Sequence, residues 1–335
     1  MYIVVTGAAG FIGSNLVPAL NARGESNIIA VDNLRQSDKF VNIADAQIAD
    51  YLDQDEFLSR LAGGDFDDDL TAVLHQGACS DTMEADGRFM MRNNYRYSVD
   101  LLTYCQDNDV PFLYASSAAV YGGATEFREE PACERPLNIY GYSKLLFDQY
   151  VRRTLADRTS QIAGFRYFNV YGVREQHKGR MASVARHFFE EYMANGSVKL
   201  FEGSGGYAAG DQRRDFVSVD DIVKVNLHFL DDRDRSGIFN VGTGTAVSFH
   251  AVAAATVNAC RRANGDAPQT LPELMRGGQF VYTAFPPQLV GKYQHFTQAD
   301  LTALRRAGYA AEFVSAEEGV TRYVESLILS SRVSP

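Results

Sequence analysis

Short apolar runs rich in β-branched residues alternate with stretches of helical period through the first half of the chain. Tyr2–Thr6, Asn27–Asp32, Thr71–Gln76, Pro111–Ser116 and Gln161–Tyr167 are near-continuous apolar segments. Strands covered on both faces read this way, whereas half-exposed strands alternate. Between them Ile12, Leu16, Val17 and Leu20 recur at helical spacing, and the segment from about Asp86 to Asn108 is long enough for several turns. This rhythm predicts an α/β architecture, a doubly wound parallel sheet with helices on both faces.

After about Tyr171 the rhythm breaks. Residues 203–211 (GSGGYAAGD) have the composition of a loop. Asp215–Asp220 (DFVSVD) and Gly237–Gly244 (GIFNVGTG) return to strand-like composition, and Asn264–Gly278 reads as an irregular excursion with no clear period. The 335 residues suit about two domains. The expected division is a sheet domain of residues 1–170 plus about 214–245, and a smaller C-terminal α/β lobe of about 171–213 and 246–335.

Composition changes little in this picture. Hydrophobic residues at 46% and charged residues at 22% are ordinary for a globular chain. The net charge of −10, without a basic run, points away from nucleic acid and anionic membranes. Four scattered cysteines (Cys79, Cys105, Cys133, Cys260) build neither a disulfide framework nor a metal-ligand spacing, so no metal is expected and the compartment reads as reducing cytoplasm. The N-terminal MYIVVTGAAG lacks a basic n-region and a cleavage site, and no apolar run is long enough to span a membrane.

The first strand runs into Thr6-Gly7-Ala8-Ala9-Gly10-Phe11-Ile12-Gly13, with glycines at 7, 10 and 13. That spacing serves a tight turn, close approach of backbone to a pyrophosphate, and close helix–strand packing. The helix that follows offers its N-terminus to the phosphates. Asp32 ends the second strand 19 residues after Gly13, where a carboxylate can accept from an adenosine ribose. Asp32 alone favours NAD by repelling a 2′-phosphate; Lys39, shortly downstream, would offset it and admit NADP.

Tyr140-Gly141-Tyr142-Ser143-Lys144 puts a tyrosine and a lysine at i and i+4, on one helix face. Tyrosine, with an ordinary pKa of about 10, is a poor base at neutral pH. A nearby ammonium and a positive nicotinamide ring would favour its phenolate, fit to take a hydroxyl proton as hydride leaves the same carbon. Ser117, 23 residues before Tyr140, lies at a candidate strand end and supplies a hydroxyl for the same oxygen. Each feature alone is common turn or helix chemistry; behind a dinucleotide loop the combination is specific.

These residues resemble the extended short-chain dehydrogenase/reductases, which carry a Rossmann-type domain and act mainly on nucleotide sugars. The matching pieces are Gly7–Gly13, Ser117, Tyr140 with Lys144, Arg214-Asp215-Phe216 with Val219-Asp220, and Asn240–Gly244. The stretches HQGACSDT (75–82), FRYFNVYG (165–172), REQHKGRMASVA (174–185), LFEGS (200–204) and YQHFTQADL (293–301) are similar to the ADP-heptose 6-epimerase branch, from the N-terminus to about Tyr323. The resemblance implies Tyr140 and Lys178 as the catalytic bases, assisted by Ser117 and Lys144. Read alone, Lys178 is a solvated loop charge.

The resemblance also implies one tightly bound NADP per subunit, with NAD possible. Its contacts would be Gly7, Gly10, Phe11, Ile12, Gly13, Asp32, Asn33, Lys39, Gln54, Gln76, Gly77, Ala78, Cys79, Ser80, Asn93, Tyr140, Lys144, Val170 and Lys178. Substrate contacts would be Asn169, Arg180, His187, Phe201, Glu202, Gly203, Ser204, Arg214 and Tyr293. Relatives form homo-oligomers, reportedly pentamers. The implied reaction oxidises C6″ of an ADP-heptose, turns the carbonyl about C5″–C6″ and reduces its opposite face, for the inner core of lipopolysaccharide.

Some positions depart from the branch. Gln54 stands where some relatives carry lysine, Arg180 where a serine can occur, and Gly205–Gln212 and Asn264–Gly278 are longer. The alternative is another nucleotide-sugar enzyme such as a UDP-hexose 4-epimerase, from which Lys178 and LFEGS distinguish the chain. A dehydratase would carry Thr-Asp-Glu where Ser117-Ala118-Ala119 stands. Intact Ser117, Tyr140 and Lys144 argue against a non-catalytic dinucleotide-binding protein.

Overall fold

A computed structural model of the chain describes residues 1–287, 291 and 293–333. In chain order the elements are β1 (Tyr2–Thr6), α1 (Gly13–Asn21), β2 (Ile28–Asp32), β3 (Asp50–Asp53), α2 (Gln54–Ala62), β4 (Leu70–His75), α3 (Gly87–Met90), α4 (Tyr97–Asp107), β5 (Phe112–Ser117), α5 (Ile139–Thr154), β6 (Ile162–Tyr167) and β7 (Asn169–Tyr171). There follow α6 (Val184–Asn195), β8 (Val198–Phe201), β9 (Arg213–Ser218), α7 (Val219–Asp231), β10 (Gly237–Val241), β11 (Ala246–Ser248), α8 (Phe249–Ala263), α9 (Leu271–Arg276), β12 (Phe280–Thr283), α10 (Thr302–Arg306) and α11 (Ala316–Val333). The chain divides into two units: residues 1–167, 222–241 and 301–310, and residues 168–221, 242–300 and 311–335.

The first unit holds one seven-stranded parallel sheet in the order β10-β6-β5-β4-β1-β2-β3. It is the expected Rossmann-type doubly wound sheet. Its central strands are buried along their whole length, as the continuous apolar runs require. Val4, Val73, Phe112 and Ile162 pack with helix residues Phe57, Leu101, Phe147 and Val151. The strand order reverses between β1 and β4, whose ends are in register at Thr6 and His75. Loops leaving those two strands part to opposite faces and leave a crevice at the carboxyl ends.

The second unit holds two small sheets, β11-β9-β7 and β12-β8, and a core of its own around Phe188, Leu200, Phe216, Val252, Leu274 and Val324. The expected boundaries at 171 and 214 fall instead at 168 and 222, because β9 pairs with β7 and β11 rather than with the large sheet. Residues 301–310 belong to the first unit, where α10 packs on β10. Two local expectations are corrected. The last residues of DFVSVD open α7 rather than ending a strand. The Asn264–Gly278 excursion contains α9, which starts on a reciprocal Thr270/Glu273 capping box. No helix among the described residues is long and apolar enough to cross a membrane.

Candidate functional site

The crevice between β1 and β4 is lined by backbone because side chains do not fit there. Gly7 has φ +64°, and a Cβ on it would lie 2.7 Å from Gly77 Cα. A Cβ on Gly13 would lie 2.1 Å from Gly7 O. α1 starts at Gly13 with no side-chain cap on Ile12; Ser14, Asn15 and Leu16 N–H bond the Gly10 and Ile12 carbonyls, and the positive end of the helix dipole faces the loop. This glycine turn has the backbone surface that the sequence reading assigns to a pyrophosphate.

Asp32, only 5% exposed, ends β2 beside that loop. Its carboxylate accepts from Ala9 N (3.1 Å), Asn33 N (2.8 Å) and Leu34 N (3.2 Å), and pairs with Lys39 Nζ at 2.5 Å. Three of those partners share Oδ1, and Oδ2 takes only Ala9 N–H among the described residues. Asp32 organises the loop, Lys39 offsets its charge, and an acceptor site on Oδ2 is left for the ribose contact expected from the sequence. Asn33 Nδ2 donates to Gln54 Oε1 (3.4 Å) and Gln54 Nε2 to Asn93 Oδ1 (3.4 Å), so three expected cofactor residues form one chain.

On the facing side, the Gln76 side chain turns inward to Asn226 (3.2 Å) and Tyr167 (3.2 Å), and Gln76 N and Gly77 N donate to Thr6 O and Oγ1 at 3.1 Å. Cys79 is clamped at both backbone groups by Asn94, whose Oδ1 accepts from Cys79 N (2.8 Å) and whose Nδ2 donates to Cys79 O (2.9 Å).

Asn138 starts α5 by accepting from Gly141 N at 2.8 Å, which places Tyr140 in the first turn and Lys144 one turn on. Ser117 Oγ accepts from Ala119 N (3.1 Å) and its hydroxyl serves Tyr140. Burial raises the Tyr140 phenol above its ordinary value; the Ser117 hydrogen bond opposes that, and Cys79 adds to it. Lys144, buried at 4% exposure, donates to Ala115 O at 2.8 Å. Desolvation lowers its pKa to about 8, against the pull of Asp148 and Cys79. The ammonium expected to support Tyr140 is thus held by a carbonyl in this state.

Beneath α5, Asp148 accepts from Tyr114 (2.9 Å), Ser116 (2.9 Å) and Arg166 Nε (2.9 Å). Arg166 also meets Glu134 and Tyr121. This buried network bolts α5 to β5 and β6. Nothing in the sequence spacing announces it, because its members come from separate elements.

In the second unit, Lys178 lies in the turn Gln176–Met181, half-buried, its N–H on Glu175 O (3.0 Å). Burial lowers its pKa, with Glu175 opposing. The Glu175 carboxylate is itself buried and accepts from both N and Oγ of Ser183, the residue that caps α6. Arg180 is exposed in the same turn, and His187 sits half-buried on α6.

Arg214 on β9 stacks over the Tyr293 ring at 4.6 Å and reaches Asn169 Oδ1 at 3.4 Å. Its Nε is buried without a partner, and burial lowers its pKa. An orphaned guanidinium N–H beside an aromatic face suits an anionic group such as a diphosphate. Val170 lies next to Asn169 on β7. Phe201 meets Tyr293 edge-on at 6.5 Å, and Gln212 Nε2 holds Glu202 O (3.1 Å) and Ser204 Oγ (3.1 Å), fixing the 201–204 backbone around Gly203. The longer 205–212 loop is pinned by His250, which bonds Asp211 (3.0 Å) and Tyr282 (2.8 Å). Asp215 escaped the sequence reading as a site residue. It gathers Thr243, Gly244 and Ala299 N–H groups at 2.7–3.0 Å and so ties the RDF, GTG and QAD segments together.

The family model described as the NAD dependent epimerase/dehydratase family matches residues 3–242. The curated ADP-L-glycero-D-manno-heptose-6-epimerase of Thiobacillus denitrificans is 64% identical over 329 residues, 98% of this chain and 99% of that protein. The solved ADP-L-glycero-D-manno-heptose-6-epimerase of Helicobacter pylori is 28% identical, with a TM-score of 0.80 over 98% of this chain and 96% of its own. The Thermus thermophilus UDP-glucose 4-epimerase in complex with NAD is 26% identical, with a TM-score of 0.74 over 97% and 98% of the two chains. The glycine cradle, the Ser117–Tyr140 contact and Lys144 on one sheet domain agree with those likenesses, and the chain belongs to the NAD-dependent epimerase/dehydratase family.

Proposed function

We propose that the protein interconverts ADP-D-glycero-β-D-manno-heptose and ADP-L-glycero-β-D-manno-heptose, with one NADP held per subunit, and so serves synthesis of the heptose of the lipopolysaccharide inner core. The observation that carries the reading is the 64% identity, over nearly the full length of both chains, to a relative of that name. The residues fit it. Gly7–Gly13 and the 76–80 backbone would hold the dinucleotide, and Lys39, by cancelling Asp32, favours a 2′-phosphate. A bound nicotinamide would supply a hydride acceptor and donor at C6″.

The chain's own groups handle the protons. Tyr140 takes the C6″ hydroxyl proton in one half-reaction, its phenol oriented by Ser117. Lys178, its ammonium destabilised by burial, serves the oxygen in the orientation it adopts after rotation about C5″–C6″. Arg214 and Asn169 hold the diphosphate, with Tyr293 and Phe201 alongside, and this remote binding keeps the carbonyl compound from escaping between half-reactions. His187 and Arg180 belong to the substrate contacts on the same reading. The protein acts as a homo-oligomer, a pentamer, in the cytoplasm.

The test is direct. The nucleotide released from purified protein is identified by mass, and ADP-D-glycero-heptose is then supplied and its C6″ configuration followed. NADP and mixed C6″ epimers are expected. Turnover of UDP-glucose with the heptose untouched would favour the 4-epimerase reading instead.

A further inference from the structure

We infer that His75 is a positioning residue. Through Thr6 and Ser98 it ties the glycine loop after β1 and the 76–80 loop after β4 to the helix carrying Tyr140 and Lys144. The inference rests on the reading of those two loops as the dinucleotide cradle.

One arrangement of protons satisfies every group along this chain. Gly77 N–H donates to Thr6 Oγ1 at 3.1 Å. The single Thr6 hydroxyl proton then goes to His75 Nδ1 at 2.6 Å. At the other end the Ser98 hydroxyl donates to Asn94 O at 2.7 Å, so it accepts from His75 Nε2–H at 2.8 Å. One hydroxyl needs an acceptor and the other needs a donor, which fixes a neutral ring with its proton on Nε2. An imidazolium would point a second N–H at a hydroxyl that is already donating toward it. The ring is 1% exposed, between Tyr97 and Phe112. Burial, and secondly the Lys144 charge, hold its pKa down to about 3.

The chain does not stop at Asn94. That residue is fully buried in the single π-turn of Met91–Arg96, an insertion of the kind that re-aims a side chain inside a helix. Besides clamping Cys79, its Nδ2 reaches Ser143 Oγ at 3.2 Å, and Ser143 donates to Tyr140 O at 2.7 Å. A continuous path therefore runs from Gly77 beside Gly7 to the turn of α5 between Tyr140 and Lys144. A histidine kept for volume alone would not need both nitrogens matched to hydroxyls whose other bonds end at these loops.

The experiment uses the full chain, emptied of nucleotide and titrated with NADPH by fluorescence, with thermal unfolding measured in parallel. Thr6→Val and Ser98→Ala each cut one link with almost no change of volume. Each is expected to weaken NADPH binding roughly tenfold, the size of one lost hydrogen bond. The double variant is expected to fall well short of the roughly hundredfold product, because both break the same chain. His75→Gln, whose amide nitrogen can keep the bond to Ser98, should match Thr6→Val. Nitrogen NMR should show His75 neutral with Nε2–H across pH 5–8. If Thr6→Val does not fold, Ser98→Ala and the NMR signature carry the test. Lowered thermal stability with wild-type NADPH affinity, losses that multiply, or a charged His75 would each overturn the inference. Wild-type protein that binds NADPH yet leaves the ADP-heptose unchanged removes the proposed reaction alone, and the affinities still decide the role of His75.

Discussion

Burial drives Tyr140 and Lys144 apart in proton affinity. Burial raises the phenol, while it lowers the ammonium to about 8. As pH rises through that value Lys144 loses its charge, so a reaction that uses the ammonium declines on the alkaline side near pH 8. Lys144→Arg keeps the charge and should move that limb of the kcat profile upward. Tyr140→Phe should cut epimerisation by about 10²–10⁴-fold, the usual reach of a positioned acid–base group, with the nucleotide still retained. Lys178→Met should do the same; near-normal turnover in that variant rules out a second base. Lys39→Ala leaves the Asp32 carboxylate uncompensated beside the cradle, and competition binding should then favour NAD over NADP at least tenfold more than in the wild type.

Elements set these residues where sequence spacing alone does not reach. The i, i+4 relation of Tyr140 and Lys144 was readable because helix periodicity is local. The Asp148–Arg166–Glu134 network was not, since its partners lie on α5, on β6 and in the loop before α5. Arg166→Met removes the cation from two buried carboxylates and should cost about 3–5 kcal/mol in denaturant unfolding. Gly13→Ala sets a methyl into the Gly7 carbonyl, so the loop must open and dinucleotide retention should be lost, measured as nucleotide per subunit after dialysis. The strand–helix pattern foretold a parallel sheet from the buried apolar runs, but not its edge strand β3, which is only partly buried and carries no such run. It missed β8 and β12, whose four residues each pair only with one another and carry little pattern.

Across the whole molecule a chain of net charge −10 is proposed to hold an anionic dinucleotide and an anionic sugar nucleotide. Local backbone N–H groups and single cations such as Lys39 and Arg214 must therefore outweigh the global field. Emptying the protein of NADP should lower its unfolding temperature, and restoring NADP at about a thousand times its Kd should return roughly 4 kcal/mol. Calorimetry with and without added NADP checks this. A stability independent of NADP would sink the cradle reading.

The sequence by itself determined what depends on neighbours along the chain: buried strands from apolar runs, the glycine turn, the Tyr140–Lys144 face. It also carried the likeness of HQGACSDT and LFEGS to known relatives. Tertiary structure decided what depends on which strand lies beside which. By placing β4 next to β1 it set His75 against Thr6 and Gly77 against Gly7; elsewhere it paired Asp32 with Lys39 and loop N–H groups and placed β9 and residues 301–310 across the expected boundary. The reason is physical: periodicity and propensity are summed over a few residues, whereas burial and hydrogen-bond partnership are properties of a position in space.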